Sequence, residues 1–178
     1  MGRIDKFKGE NLVIGVLSAA DESESELRTR LSNEFGPVDL ASDPLDFIWT
    51  HYYDREMGGN ISRWFYSFER LTDPSELSDI KIKTNEIEKD YRQGGDRKVN
   101  LDPGLLDLNR LILATTKNVG HRIPLRDGIY AEVTLMYMRK DFHPLPWTYP
   151  DYADSRMIGW LHQVRRRYMH NLKAKMDD

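Results

Sequence analysis

The sequence predicts an α+β fold: a two-layer, mainly antiparallel sheet with a ferredoxin-like β-α-β-β-α-β start, then a C-terminal hairpin and helix. Three observations lead there. Short β-branched and aromatic runs alternate with stretches of helical period. Glycine-centred turns at Gly58–Asn60 and Asp127–Gly128 join neighbouring strands as hairpins. The chain has 178 residues, 39% of them apolar, enough for one continuous core, so residues 1–178 form a single domain.

The elements follow in order. Asn11–Ser18 is apolar at both parities and reads as a central strand. Ser23 and Glu26 make a capping box for a helix whose inner face is Leu27, Leu31 and Phe35, and Gly36–Pro37 ends it. Strands over Leu45–Tyr53 and Ile61–Leu71 flank the Gly58–Asn60 turn. Asp73 caps a second helix, with Pro74 at its first position and Leu77, Ile80, Thr84, Ile87 and Tyr91 in one stripe. Asp102–Gly104 has the composition of a turn, and Leu105–Ala114 reads as a short helix passing into a strand.

A hairpin then turns at Asp127–Gly128. A two-residue turn pairs Arg126 with Ile129, Ile123 with Glu132 and His121 with Thr134. Pro144–Tyr152 is extended and laid over the body, and a final helix begins near Ser155, with Ile158, Leu161, Tyr168 and Leu172 on one side.

Composition excludes several chemistries. The chain has no cysteine, which removes disulfides, thiolate catalysis and cysteine-ligated metals. A net charge of −3 and a pI near 6.0 supply no global field for nucleic acid. The longest apolar run, Leu12–Leu17, is far below the roughly 20 residues a membrane span needs. The polar start, Met1–Glu10, has no signal-peptide core, so the expectation is a soluble cytoplasmic protein with no membrane partner.

The late hairpin is the leading site candidate. His121, Tyr130, Glu132 and Thr134 share a polar strand face in the predicted register, opposite Ile129, Ala131, Val133 and Leu135. An imidazole beside a carboxylate suits acid–base catalysis, with His121 moving the proton and Glu132 orienting it. Solvated faces of antiparallel sheets carry the same residue types without any function. His121 and Glu132 supply only two ligands, so no metal site is assigned, and no cofactor is indicated.

Nearby, Asn100, Asp102, Thr115, Thr116, Lys117 and Arg122 bring hydroxyl, amide, ammonium and guanidinium groups into one stretch of chain, a set suited to an anionic small molecule. Chain reversal alone also explains Asn and Asp before Pro-Gly. His51–Glu56, together with Trp64, Tyr66 and Phe68, forms either a base-stacking platform or one side of a core. Arg165–Arg167 with His170, Lys173 and Lys175 complements a helix C-terminus without needing a partner.

Glu34–Pro37, Ser67–Leu71, Asp79–Glu86, Asn100–Gly104, Tyr130–Leu135 and Leu145–Pro150 together resemble the prokaryotic family of domains of unknown function numbered 4416. The resemblance runs through nearly the whole chain in the same order of motifs, and it implies no established activity. Some members of that family are labelled GTP-binding. Here the turn after the first strand, Ser18–Glu22, lacks the glycines and the Lys-Ser/Thr pair that hold a nucleotide's phosphates. Two classes of function therefore stand open. One is an enzyme or binding protein for a phosphorylated or nucleotide-like anion; the other is a non-catalytic domain that contacts protein or RNA through Pro144–Tyr152 or the basic last helix. A concave meeting of Asn100, Lys117, His121 and Glu132 favours the first, and a flat exposed patch of Trp147, Tyr149 and Tyr152 favours the second.

Overall fold

Strand β1 (Glu10–Ala19) is buried at each of its 10 positions. Apolar side chains at both parities give it two faces to cover, so helices must pack on either side. The computed structural model describes residues 2–19 and 24–174. After β1 come α1 (Glu24–Phe35), β2 (Val38–Ala41), β3 (Leu45–Asp46), the single-turn α2 (Asp54–Met57) and the long β4 (Ile61–Thr72). A 3₁₀ turn at Pro74–Glu76 leads into α3 (Leu77–Asp90), and Asp73 caps it by accepting from the Ser75 N–H at 2.9 Å. The rest of the chain is β5 (Arg92–Gln93), β6 (Asp96–Arg97), β7 (Val99–Leu106), β8 (Arg110–Thr115), β9 (Ile123–Pro124), β10 (Tyr130–Met138), β11 (Asp141–Pro144) and α4 (Ser155–Ala174). Ser23, predicted to cap α1, lies outside the described residues.

The main sheet runs β11-β10-β8-β7-β1-β4-β2, with β3 added to β4 and β9 to β10. All its pairings are antiparallel. On one face Leu12, Ile14 and Val16 meet Leu27 and Leu31 of α1 and Ile80 and Ile87 of α3. On the other, Val13 and Phe65 meet Met157, Trp160, Leu161 and Val164 of α4. Burying side chains of this size contributes roughly 1.5–3 kcal/mol each. The α+β class and the antiparallel sheet are those the sequence predicts. The layering is not: α4 covers the second face, giving three layers where two were expected.

Four local expectations change. Of Leu45–Tyr53 only Leu45 and Asp46 form strand, because Phe47, Trp49 and Tyr53 turn toward a cavity instead of a ladder. Asp102–Gly104 is no turn but the middle of β7, and Leu105–Ala114 is a strand hairpin, β7 to β8, rather than a helix. The late hairpin turns where predicted and through the expected two residues, Asp127–Gly128: the Ile129 N–H donates to the Arg126 carbonyl at 3.0 Å, and both turn residues are left-handed (φ 57° and 75°). The Leu125 N–H also donates to the Ile129 carbonyl, at 2.9 Å, so Leu125 and Arg126 both face Ile129 and the first strand carries a bulge. The register therefore slips by one, pairing Ile123 with Ala131. An irregularity between Val133 and Leu135 in the pairing with β8 then brings Leu135 into the α4-side core, while Glu132 and Thr134, expected on a solvated face, are buried.

Of the aromatics expected to form a base-stacking platform or a core, Trp64, Tyr66 and Phe68 belong to the core. In the basic helix, Arg165 lies 3.6 Å over the Tyr137 ring and donates to the Leu108 carbonyl, so it packs rather than projects. Among the described residues, no helix is long and apolar enough to cross a membrane.

Candidate functional site

The β7–β8 ladder ends early. It pairs Leu106 with Leu111, Leu105 with Ile112 and Gly104 with Leu113, and goes no further. Pro103 marks the point of parting, since it has no N–H to offer a neighbouring strand. Beyond it the Leu101 backbone still needs partners, because buried peptide groups left unpaired are costly. Helix α3 supplies them: Glu88 Oε1 accepts from the Leu101 N–H at 2.7 Å, and Lys81 Nζ donates to its carbonyl at 2.7 Å. Two charged side chains thus take the place of a strand, and the sheet stays open there.

The opening contributes to a cavity of about 580 Å³. Arg63, Asn100 and Asp102 line it from the sheet, and Lys81, Asn85 and Glu88 from α3. Phe47, Trp49, Tyr52 and Tyr53, the tract mistaken for a strand, form an aromatic wall. Thr115, Thr116, Lys117, Arg122 and Glu132 line another side, and Tyr149–Tyr152 closes the remainder.

Gly15 makes room for the floor. It pairs with Asp102 on one side and Phe65 on the other. A Cβ there would lie 2.6 Å from the Tyr152 hydroxyl and 2.8 Å from Arg63 Nη2. Into that space Arg63 sends a guanidinium that is 1% exposed, with Nη1 on Asp102 Oδ2 at 2.9 Å and Nε 3.0 Å from Asp151 Oδ2. Arg63 also stacks over the Phe65 and Tyr152 rings.

The charges shift one another. Burial alone would raise the Asp102 pKa, but Arg63 and then Lys81 outweigh it and hold the carboxyl below its ordinary range. Asp151 goes the other way, pushed up by burial against the pull of Arg63. Burial also raises Glu88, opposed by Lys81, and raises the Tyr152 phenol, which stays protonated.

All the ligand residues anticipated from sequence, Asn100, Asp102, Thr115, Thr116, Lys117 and Arg122, line this one cavity together with Glu132. His121 stands behind Glu132 and outside the lining. Its Nε2 is 2.9 Å from Glu132 Oε2, and its ring stacks on Trp147 at 4.7 Å. Arg122 Nε donates to the same Glu132 oxygen at 2.7 Å, and its Nη1 to the Lys117 carbonyl at 2.9 Å. Sequence reasoning missed Arg63, Lys81, Glu88, Arg97, Asp151 and Tyr152. A lone arginine within the apolar run of β4 was one available signal. Lys81 and Glu88, a charged pair two turns apart beside the apolar stripe of α3, were another. Among the described residues, no group of three or more His, Asp or Glu is placed to hold a metal ion.

The fold and cavity define an α+β protein with a partly open, polar, aromatic-walled site. The chain belongs to DUF4416, a domain of unknown function, whose family model matches residues 8–168. No curated protein and no solved structure matches it.

Proposed function

We propose that the protein binds a phosphorylated or nucleotide-like small molecule in this cavity. The observation that carries the reading is the state of the lining cations. Arg63, Lys81, Arg97 and Arg122 each have a carboxylate within salt-bridge reach. Among the described lining residues, Lys117 is the cation with none; its ammonium lies 5.1 Å over the Tyr52 ring. Thr115 and Thr116 put hydroxyl donors beside it in sequence, and the volume falls in the usual range for small-ligand sites, roughly 300–1,000 Å³. An anion at Lys117 is supported by that unmet charge, and a flat ring by the aromatic wall.

The interaction-domain alternative is disfavoured by Pro144–Tyr152. Tyr152 is buried, and Trp147 is engaged, donating from Nε1 to the Val133 carbonyl at 2.8 Å and stacking on His121. Tyr152 is thus withdrawn from the patch it was expected to form with Trp147 and Tyr149, which stay exposed. The acid–base role expected of His121, with Glu132 orienting it, is disfavoured, because His121 stands behind Glu132 and outside the cavity lining.

Thermal shift on the full chain tests the binding reading, with inorganic phosphate, sugar phosphates and nucleotides as probes. A ligand that binds only the folded state raises the melting temperature. The expected result is a salt-sensitive rise that Lys117→Ala abolishes. No rise with any probe, or an unchanged rise in the variant, overturns it.

A further inference from the structure

Helix α3 lines the cavity with three polar residues, Lys81, Asn85 and Glu88. Positions i, i+4 and i+7 fall on one helical face. Two of the three are committed: Lys81 Nζ and Glu88 Oε1 hold the Leu101 carbonyl and N–H, and they lie 3.9 Å from each other. Asn85 sits between them in sequence, half-buried, and its amide makes no hydrogen bond among the described residues. Asparagine is a poor helix former, because its side chain competes for nearby backbone groups. Thr84 does bond back, donating to the Lys81 carbonyl at 3.0 Å, whereas Asn85 does not. Neither helix propensity nor an internal partner accounts for an amide here, and the residue opens on the cavity.

The aromatic wall and Lys117 supply the rest of the site. Phe47 meets Trp49 and Tyr53 with ring centroids 5.6 and 5.9 Å apart, and Tyr53 meets Tyr52 at 5.0 Å. The four rings are therefore one cluster, and the Lys117 ammonium stands over its Tyr52 member. Beside Asn85 the Lys81 and Glu88 charges offset each other, so a neutral group suits it. An amide offers a donor and an acceptor in one plane, the complement of a nucleobase edge, where a ring nitrogen or carbonyl neighbours an N–H. A sugar hydroxyl meets the same amide, but it has no π face for the rings. A flat ring with a neutral donor–acceptor edge, carried on a phosphate, is a nucleotide.

We infer that Asn85 reads the base of a bound nucleotide, with the base against the rings and the phosphate at Lys117. The inference rests on the anion-binding reading above and narrows its ligand class from any phosphorylated small molecule to a nucleotide. Asn85 is here a specificity-determining residue: its amide pairs with the base edge and takes no part in a reaction.

Isothermal titration of the full chain, native and Asn85→Ala, tests it with ribose 5-phosphate and the 5′-monophosphates of adenosine, guanosine, cytidine and uridine. Alanine is the better helix former, so a loss in the variant is not a folding defect. At least one nucleotide is expected to bind the native protein about tenfold or more tighter than ribose 5-phosphate, the scale of one stacked base. A nucleotide that binds where ribose 5-phosphate does not meets the same expectation. Asn85→Ala is expected to weaken that nucleotide by about threefold or more, the scale of a lost hydrogen bond, and to leave any ribose 5-phosphate affinity within about twofold. If ribose 5-phosphate binds and no nucleotide reaches the tenfold margin, the inference falls and anion binding stands. If the variant keeps the nucleotide within about threefold, Asn85 does not read the base and the inference falls. If the variant loses ribose 5-phosphate equally, Asn85 only shapes the cavity and the inference falls. If no probe binds the native protein, both readings fall.

Discussion

Glu88 accepts a hydrogen bond from the Leu101 backbone N–H at 2.7 Å, a helix side chain standing where a strand would be. The contact is what lets β7 leave β8 without an orphaned peptide group. Glu88→Ala removes it and is expected to cost about 1–3 kcal/mol in urea denaturation, the price of a buried donor left unpaired. Glu88→Gln keeps an acceptor oxygen at the same reach and is expected to cost clearly less. Equal losses in the two variants would show that charge, not the backbone bond, is what matters there.

The pH dependence separates two carboxylates of the same cavity. Burial, opposed by Lys81, raises the Glu88 pKa above its ordinary 4.5. The charged form therefore costs stability at neutral pH, and that cost disappears as pH falls through the raised pKa and below 4.5. Asp102 is lowered below 3.8 because Arg63 and Lys81 outweigh its burial. Its contribution is complete above 3.8 and is lost as pH falls through the lower folded-state pKa. Relative to Glu88→Gln the native protein is expected to gain stability on acidification from neutral; relative to Asp102→Asn it is expected to lose it, below 3.8. Denaturation midpoints across pH 3–7 check both signs.

Much of this was legible in the chain because it is local. The cap at Asp73, the apolar stripe of α3 and the two-sided β1 each rest on residues within one element. The clustering of Asn100, Asp102, Thr115, Thr116 and Lys117 was visible because β7 and β8 are consecutive strands. What failed is what depends on distant partners. Asp102–Gly104 has turn composition, yet Pro103 is tolerated inside β7 because its missing N–H faces the gap beside β8. Phe47–Tyr53 is as apolar and aromatic as a strand, and only the cavity distinguishes it from one. Arg63 and Asp102 are 39 residues apart, so their pairing has no local signature. The two-residue turn at Asp127–Gly128 was legible, but the bulge at Leu125–Arg126 that shifts the register beyond it has no signature in the turn residues.

Gly15 gives the sharpest packing test. Its absent Cβ is the space used by the Tyr152 hydroxyl and the Arg63 guanidinium. Gly15→Ala overfills a fully buried site and is expected to cost about 1–3 kcal/mol, against the usual gain from replacing glycine in a strand. The expected companion effect is weaker ligand binding, since Arg63 must move and carries Asp102 with it. A stable variant with unchanged binding would mean that the floor of the cavity is more compliant than its geometry indicates.

Arg122 and Lys117 are five residues apart and line the same cavity, yet their removal should differ sharply. Arg122 is the closest cation to Glu132, whose side chain is 2% exposed, and it also donates to the Lys117 carbonyl and the Tyr149 hydroxyl. Arg122→Ala leaves that carboxylate buried with His121 as its remaining ionisable partner and is expected to destabilise the fold by about 3 kcal/mol, the lower end for a broken buried pair. Lys117 is exposed and makes no salt bridge among the described residues, so Lys117→Ala is expected to stay within about 0.5 kcal/mol of the native protein. It is therefore the cleaner probe of binding, because lost affinity there cannot be ascribed to a damaged fold. A double-mutant cycle completes the test: adding Glu132→Gln to Arg122→Ala removes the stranded charge and is expected to recover part of the loss. If the double variant is as unstable as the sum of the single ones, the Arg122–Glu132 pair is not what holds this side of the cavity.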